Sequence, residues 1–494
     1  MRSNTLRKNF QSKSTKRRVV KESILKDAIP VFLVENNILD DLDGYYLSKF
    51  QQNYLIQSGF SGEQKQILYL PNKDGEVQLV FVGHTNDFRE IGALIGSLTP
   101  KKYKIHNDLS QYEYWNLVVG FLISEYDFDY YQTSQHKLPN VEKNAIELSI
   151  PDDFEVERVS ALVNSDFLAR DLINMPPSDL GPEEFENVVS EISKDFNAVV
   201  KVIKGNELLR KGFPLIHAVG RASISVPRLI ELSWGKKSSP AITLIGKGVC
   251  FDSGGLNLKT SASMNLMKKD MGGGAIAVAL ASYIMSQGLN IFLRLLIPVV
   301  ENSVSSDSFR PGDILRSRMG KTIEINNTDA EGRLILADAI TYANEADPFL
   351  IICMATLTGA ARVGLGSELV PFYCTNDKIT QELEEMSKLY GDPIWRMPFY
   401  EPYRKHIKSK IADLDNAPSG AMAGSITAAL FLKEFIEDTT NFVHFDLYAW
   451  SQNSTSVWKA GARAQTLATL AGMLERVSER TGNNLSVSID NKVS

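Results

Sequence analysis

The sequence predicts an α/β protein in which a smaller N-terminal α/β domain precedes a larger domain, a mostly parallel sheet flanked by helices. Three observations support this prediction. The chain has 494 residues, which is enough for roughly two to four domains. Strand-like and helix-like patterns alternate through its second half, as is typical of parallel sheets with helices on both faces. The proline-rich residues 175–182 end a helix between the two parts.

The composition is that of a folded globular protein, with 44% hydrophobic and 23% charged residues. A net charge of −6 argues against a general nucleic-acid binder. No apolar run is as long as a membrane span, so no membrane association is expected. The three cysteines, Cys250, Cys353 and Cys374, lie in apolar stretches. They predict buried thiols in a reducing, cytoplasmic location.

Basic residues dominate the first 21 positions and precede the first acid, Glu22. They are Arg2, Arg7, Lys8, Lys13, Lys16, Arg17, Arg18 and Lys21. We predict a basic, disordered tail over residues 1–24. Two other interpretations stay open, an organelle-targeting segment and an arm that binds nucleic acid or another anion. A second disordered tail is predicted over residues 481–494.

The N-terminal domain is predicted over residues 25–152. Short apolar runs between turn residues predict its strands, and apolar residues at three- and four-residue spacing predict its helices. The predicted strands are residues 28–35, 65–70 and 77–83, and the predicted helices are residues 90–98 and 112–126. No pattern in this domain indicates chemistry.

A linker helix is predicted over residues 153–180, and the larger domain over residues 181–480. The predicted strands of that domain are residues 198–203, 229–234, 241–245, 291–299 and 349–356, and its predicted helices are residues 183–195, 274–288 and 334–346. Active sites in such folds lie beyond the carboxyl ends of the strands. Lys247 lies just past one predicted strand and Thr356 lies at the end of another, so both are candidates for the site.

The stretch Asn-Thr-Asp-Ala-Glu-Gly-Arg-Leu at residues 327–334 carries two carboxylates and a guanidinium ahead of an apolar helical run. Its simplest interpretation is a capping box, in which Thr328 caps the helix and Glu331 reaches back to the cap. Asp329 and Glu331 also suit the positive end of a helix dipole. Taken alone, this stretch predicts a helix start and little chemistry.

A second stretch changes that interpretation. Lys247, Asp252, Lys259 and Asp270 lie among glycine-rich turns, which allow a tight backbone and a close approach to a ligand. Brought together with Asp329 and Glu331, their carboxylates would repel one another in a partly dry site. Two divalent cations would neutralise them, so the two stretches together predict a two-metal hydrolytic centre.

The two motifs resemble those of the leucyl aminopeptidase family, two-metal cytosolic exopeptidases whose signature is the unbroken sequence at residues 327–334. The resemblance covers residues 160–480 well and makes residues 181–480 the catalytic domain. It implies a tight metal ion held by Lys247, Asp252, Asp270 and Glu331. It also implies a more exchangeable ion held by Asp252, Asp329 and Glu331. A lysine can act as such a ligand only when deprotonated.

The resemblance also implies a mechanism, in which a water bridging the two metal ions attacks the peptide bond next to a free N-terminal amine. Lys259 would stabilise the oxyanion, and Arg333 would hold a bicarbonate that shuttles the proton. The implied substrate-binding residues are Met267, Asn327, Thr356, Leu357 and Gly359. The expected activity is release of N-terminal leucine and other apolar residues from peptides.

The oxygen-rich donors suit manganese or zinc, with magnesium as a third candidate. No His-Glu-x-x-His or Cys-x-x-Cys zinc motif occurs. The family resemblance further implies a homo-hexamer. Two alternatives stay open, a nucleic-acid-binding accessory protein that uses the basic N-terminal tail and a catalytically inactive scaffold.

Overall fold

The computed structural model describes residues 17–36, 38, 45–133, 145–417, 420, 422–437 and 440–482. These residues form two compact units. The N-terminal unit comprises residues 17–163 and Gln452–Ala460, and the larger unit comprises Asn164–Ser451 and residues 461–482. Within the described residues, no helix combines the length and the apolar character that crossing a membrane requires.

The N-terminal unit is a sheet with helices. Its strands are β1 (Arg17–Lys21), β2 (Ile29–Val34), β3 (Ile67–Pro71), β4 (Val77–Gly83), β5 (Lys102–Ile105) and β6 (Ile146–Ile150). Its helices are α1 (Lys49–Ser58), α2 (Phe88–Ile95) and α3 (Gln111–Ile123). Among the described residues the strand order is β1-β6-β5-β2-β4-β3, and only β3 and β4 pair antiparallel.

The predicted disordered tail over residues 1–24 is wrong for Arg17–Lys21, which form strand β1. This strand pairs in parallel with β6, and the paired residues Arg17 and Ile146 are 129 positions apart in the chain. The Arg17 guanidinium also donates to the carbonyl oxygen of Phe121 and to the hydroxyl of Ser124. Such long-range pairing outweighs a basic composition that favours disorder. Residues 1–16 lie outside the described residues, so the remainder of this prediction is untested.

The larger unit contains the remaining described elements. Helix α4 (Val156–Asn174) includes the boundary between the units. The strands are β7 (Val199–Lys204), β8 (Arg228–Trp234), β9 (Ala241–Gly246), β10 (Gly248–Asp252), β11 (Phe292–Asn302), β12 (Ile314–Arg316), β13 (Thr322–Glu324), β14 (Leu350–Ala355), β15 (Val370–Cys374), β16 (Ile394–Arg396), β17 (Leu414–Asp415), β18 (Phe442–Asp446), β19 (Trp450–Ser451) and β20 (Gly461–Ala462).

The helices of this unit alternate with its strands. They are α5 (Pro182–Asp195), α6 (Asn206–Arg210), α7 (Pro214–Gly220), α8 (Ser261–Met264), α9 (Gly272–Ser286), α10 (Glu331–Asn344), α11 (Gly359–Leu365), α12 (Asp377–Leu389), α13 (Gly424–Lys433) and α14 (Leu467–Gly482), with 3₁₀ helices at Met267–Met271 and Glu401–Ile407. The predicted C-terminal tail starts inside α14, and residues 483–494 lie outside the described residues.

The main sheet has the order β16-β15-β18-β14-β9-β11-β8-β7 among the described residues, with β10 beside β11. Strands β18, β14, β9 and β11 are parallel, whereas β8 and β15 pair antiparallel with their central neighbours. The predicted α/β fold with a largely parallel sheet is thus confirmed, with antiparallel strands added toward both edges. Strand β14 is buried along its whole length, as expected for a strand covered on both faces.

The parallel register brings the carboxyl ends of three strands to the same end of the sheet, which we term the carboxyl edge. Met354 pairs with Gly246, and Ala355 pairs with Asp446. Helix α9 begins directly against this edge. A Cβ atom on Gly273 would lie 2.1 Å from the Met354 carbonyl oxygen, so only glycine allows this approach. The helix start therefore places Asp270, two residues before Gly272, beside the strand ends.

Candidate metal centre

Lys247 directly follows strand β9 and lies at the centre of one half of the site. Its backbone N–H donates to the Met354 carbonyl oxygen at 3.0 Å, which fixes it between β9 and β14. Its Nζ lies 2.9 Å from an oxygen of Asp270 and 2.9 Å from an oxygen of Glu331. It also donates to the Thr356 carbonyl oxygen at 3.0 Å. The side chain is 3% exposed, so this lysine is a buried part of the site.

Lys259 is the centre of the other half. Its Nζ lies 2.9 Å from Asp252 Oδ2 and 2.5 Å from Asp329 Oδ1. The loop between Asp252 and Lys259 turns back on itself through Gly254, whose φ of 85° is in the left-handed region that favours glycine. The Lys259 N–H then donates to the Ser253 carbonyl oxygen at 2.9 Å. This turn brings both ends of the loop to the carboxylates.

The structure brings together the four carboxylates that the sequence predicted. Oxygen atoms of Asp252, Asp329 and Glu331 lie within 4.8 Å of one another, a spacing that suits a shared metal ion. Asp270 joins them through Lys247, and its Oδ1 accepts from the Thr356 hydroxyl at 2.8 Å. The five predicted metal ligands therefore form one cluster at the carboxyl edge of the sheet.

The cluster holds more negative charge than its two lysines compensate, since four carboxylates face two ammonium groups. Burial and the charge of Asp252 raise the pKa of Glu331 to about 8 and that of Asp329 to about 6. Burial likewise raises the pKa of Asp270, although Lys247 opposes the rise. Glu331 Oε2 is buried with no hydrogen-bond donor among the described residues. Divalent cations fit this donor set, because they would satisfy that oxygen and neutralise the excess charge.

The lysines respond to the same charges. Burial alone would lower the pKa of Lys247, but the carboxylates of Asp270 and Glu331 outweigh it and raise that pKa. The pKa of Lys259 is also raised, because Asp252 and Asp329 outweigh its burial. Both lysines are therefore protonated ammonium groups at neutral pH. Lys247 could ligate a metal ion only if the ion displaced its proton.

The capping-box interpretation of Thr328 is wrong. Helix α10 begins at Glu331 after Ala330, with no side-chain cap. Thr328 Oγ1 instead donates to the Gly254 carbonyl oxygen at 2.6 Å and accepts from the Asn257 N–H at 2.9 Å. The side chain is 0% exposed, and these contacts bind one motif to the other. A buried long-range network thus replaces the local cap, which sequence spacing alone cannot reveal.

Arg333 lies on α10, two residues after Glu331, and is buried. Its Nε and Nη1 have no hydrogen-bond partner among the described residues, and the guanidinium lies 5.9 Å from the centre of the Phe431 ring. Burial lowers the pKa of Arg333 to about 10, opposed by the carboxylates of Glu331 and Asp446. The group remains a cation at neutral pH, and a buried cation with unused donors is suited to bind a small anion.

The predicted substrate-binding residues lie on segments that carry or contact the cluster. Thr356 contacts Asp270 directly. Asn327 Oδ1 accepts from the Asp329 N–H at 2.8 Å and so shapes the signature loop. Gly359 begins α11 next to open space, and Met267 is half-buried at the start of the 3₁₀ helix that carries Asp270.

Sequence reasoning missed two residues that support the site, one at the cluster and one at the Leu357 loop. Asn302, at the end of β11, donates to Asp252 Oδ1 at 2.8 Å. Asp446, at the end of β18, accepts from the backbone N–H groups of Leu357 and Thr358 at 3.1 and 3.0 Å. Both stand at the carboxyl ends of sheet strands. That position is the signal that could have identified them.

The chain is similar in sequence to known proteins over most of its length. The cytosol aminopeptidase family (M17 peptidase), catalytic domain, matches residues 167–471, and the M17 aminopeptidase N-terminal domain matches residues 29–142. The chain is 34% identical over 443 residues to a cytosol aminopeptidase of Encephalitozoon cuniculi, covering 86% of this chain and 90% of the relative. It is 40% identical over 315 residues to peptidase B of Pectobacterium carotovorum subsp. carotovorum, covering 62% and 72% of the two chains.

Two solved structures share the fold. The crystal structure of cytosol aminopeptidase from Coxiella burnetii has a TM-score of 0.86 and 40% identity, and the alignment covers 93% of this chain and 99% of that one. The bottromycin maturation enzyme BotP in complex with Mn has a TM-score of 0.80 and 28% identity, with coverage of 91% and 99%. Both structural alignments therefore cover at least 91% of this chain.

Proposed function

Because the chain belongs to the cytosol aminopeptidase family, we propose that it releases N-terminal leucine and other apolar residues from peptides with two divalent ions. The family establishes that it is an aminopeptidase. The observation that carries the finer proposal is the cluster of four carboxylates and two lysines, in which Glu331 Oε2 has no donor in the described part of the chain.

The proposed ligands are Lys247, Asp252, Asp270, Asp329 and Glu331. When bound, two divalent ions would polarise the scissile carbonyl and make the attacking water easier to deprotonate. Oxygen donors favour manganese or magnesium, whereas a deprotonated lysine also suits zinc. The Mn complex of BotP supports manganese as the first ion to test.

Lys259 is the proposed oxyanion donor. Its ammonium group is held between Asp252 and Asp329, 13% exposed, at the open side of the cluster. A fixed ammonium in such a partly dry site stabilises negative charge that develops on the substrate oxygen. Because its pKa is raised, Lys259 stays charged throughout the neutral range.

Arg333 is the second proposed catalytic residue. Its unused Nε and Nη1 donors and its retained charge suit a planar anion such as bicarbonate. An anion held there could accept a proton from the attacking water and return it to the leaving amine. The role of Arg333 is thus to hold the anion that moves the proton.

Substrate selection is proposed to involve Met267, Thr356 and Gly359 at the first side chain, with Asn327 and Leu357 giving polar contacts. The open space beside Gly359 supports this placement. Discrimination between similar aliphatic side chains is worth only about 1–3 kcal/mol. We therefore expect a preference for leucine together with slower release of other apolar residues.

The test is hydrolysis of leucine p-nitroanilide by chelator-stripped protein, with and without added Mn²⁺, and with an N-acetylated substrate as control. The proposal requires activity that needs both metal and a free amine. Glu331→Gln should abolish this activity, whereas Glu345→Gln, at the far end of the same helix, should not. Metal-independent activity, or equal cleavage of the acetylated substrate, would contradict the proposal.

Assembly and location are separate proposals. A homo-hexamer is proposed from the family resemblance, and sedimentation of the purified protein would test it. A cytoplasmic location is proposed because relatives carry the name cytosol aminopeptidase. No comparison supports the alternative of a nucleic-acid-binding role for the basic N-terminal residues.

A further inference from the structure

Asn302 joins the two motifs of the metal centre through one side-chain amide. Its Nδ2 donates to Asp252 Oδ1 at 2.8 Å and to the Thr328 carbonyl oxygen at 3.0 Å. One of these acceptors belongs to the glycine-rich motif and the other to the signature motif. The residue is 1% exposed, so water does not compete for these bonds.

The contacts of Asp252 divide its two oxygens by role. Oδ1 accepts from Asn302 Nδ2 and from the Gly254 N–H, both at 2.8 Å. Oδ2 lies 2.9 Å from Lys259 Nζ. Because two donors hold Oδ1, the Asp252 carboxylate cannot rotate. Its Oδ2 therefore stays directed toward Lys259 and is available to the proposed metal ions.

Asn302 is itself held in place. It is opposite Asp252 in the parallel pairing of β10 and β11. Its carbonyl oxygen accepts from both the N–H and the hydroxyl of Ser253, at 3.1 and 2.6 Å. The amide can donate only in the observed orientation, because a flipped amide would place its oxygen against two acceptors, Asp252 Oδ1 and the Thr328 carbonyl.

We propose that Asn302 is a positioning residue that holds Asp252, the carboxylate shared between the two proposed ions, in the geometry that binds metal. This inference rests on the proposed function. Asn302 touches no reacting atom, and its effect passes through Asp252. Outer partners of this kind typically contribute 10–100-fold to metal affinity.

The test measures metal affinity directly and does not depend on catalysis. Chelator-stripped wild type, Asn302→Leu and Asn302→Ala are titrated with Mn²⁺ in competition with a fluorescent chelator. We expect Mn²⁺ to bind roughly 10–100-fold more weakly to both variants. The loss should be smaller in Asn302→Ala, where a water can take the place of the amide and donate to Asp252.

Asn376→Ala is the matched control. This asparagine also makes several hydrogen bonds, to the N–H groups of Lys378 and Ile379 and to Asn441. It follows β15, at the opposite end of the sheet from Asp446. Asn376→Ala should lower the unfolding temperature but leave Mn²⁺ affinity unchanged, which separates a structural loss from an effect on the site.

The outcomes are distinct. If Asn302→Ala, folded by circular dichroism, binds Mn²⁺ within twofold of wild type, the positioning role is overturned and the proposed function stands. If Asn376→Ala weakens binding as much as Asn302→Ala, the effect is one of general stability and the inference is again overturned. If wild type binds neither Mn²⁺ nor Zn²⁺, the proposed function fails and the inference falls with it.

Discussion

Replacement of Lys259 by methionine removes the ammonium that contacts Asp252 Oδ2 at 2.9 Å and Asp329 Oδ1 at 2.5 Å while keeping much of the side-chain volume. The loss of one preorganised donor to an oxyanion lowers kcat about 10²–10³-fold, or roughly 3–4 kcal/mol in the barrier. The structure favours the upper part of that range, because the ammonium is largely buried and held by two carboxylates. We expect the carboxylates to remain able to bind metal.

The assay is steady-state hydrolysis of leucine p-nitroanilide at saturating Mn²⁺, with bound metal measured in the same samples. Lys268→Met is the matched control. Lys268 lies nine positions after Lys259 in the chain, donates to the Asn174 carbonyl oxygen and contacts no carboxylate of the cluster. It should retain near wild-type kcat. A Lys259→Met enzyme with two bound ions and kcat within tenfold of wild type would refute the oxyanion role of Lys259.

Three further predictions follow from buried groups. Burial lowers the pKa of His444 to about 4 from an ordinary 6.5. Below pH 6.5 the unfolded chain binds a proton that the folded chain does not, so the free energy of unfolding decreases by about 3 kcal/mol as the pH falls toward 4. Melting temperatures should therefore drop less between pH 7 and 4.5 for His444→Phe than for wild type, and equal drops would contradict this. Thr328→Val should cost about 1–3 kcal/mol in urea unfolding, because it leaves the buried Gly254 carbonyl oxygen without its donor; no measurable cost, or an equal cost for Thr328→Ser, would count against it. Asp446→Asn should raise KM several-fold with unchanged Mn²⁺ affinity, because Asp446 holds the Leu357 loop; weakened metal binding would show a different role.

The α/β architecture could be predicted because the buried strands are short apolar runs. Strands β9 and β14 were predicted as residues 241–245 and 349–356 and are found at Ala241–Gly246 and Leu350–Ala355. Strand β10 was missed because it begins only two residues after the end of β9, inside a glycine-rich motif, and its separate pairing with β11 is a tertiary contact. The antiparallel edges could not be predicted either, since pairing direction is set by tertiary contacts.

The candidate site likewise contains residues that the sequence predicts and residues that it does not. The four carboxylates and two lysines could be predicted because their chemistry is explicit in the residue types and their spacing. The role of Thr328 could not, because the same residues satisfy a local capping pattern and the competing contact with Gly254 lies 74 positions away. Asn302 was missed for a similar reason, because it reaches Asp252 only after β10 and β11 have paired.

A metal titration followed by activity tests the central claim most directly. Chelator-stripped protein is titrated with Mn²⁺ while bound metal and the rate of leucine p-nitroanilide hydrolysis are measured together. We predict that the rate follows occupancy and reaches its maximum at two ions per chain. A full rate in protein that holds almost no metal would contradict this account. So would a protein that binds two ions and cleaves no substrate with a free amine.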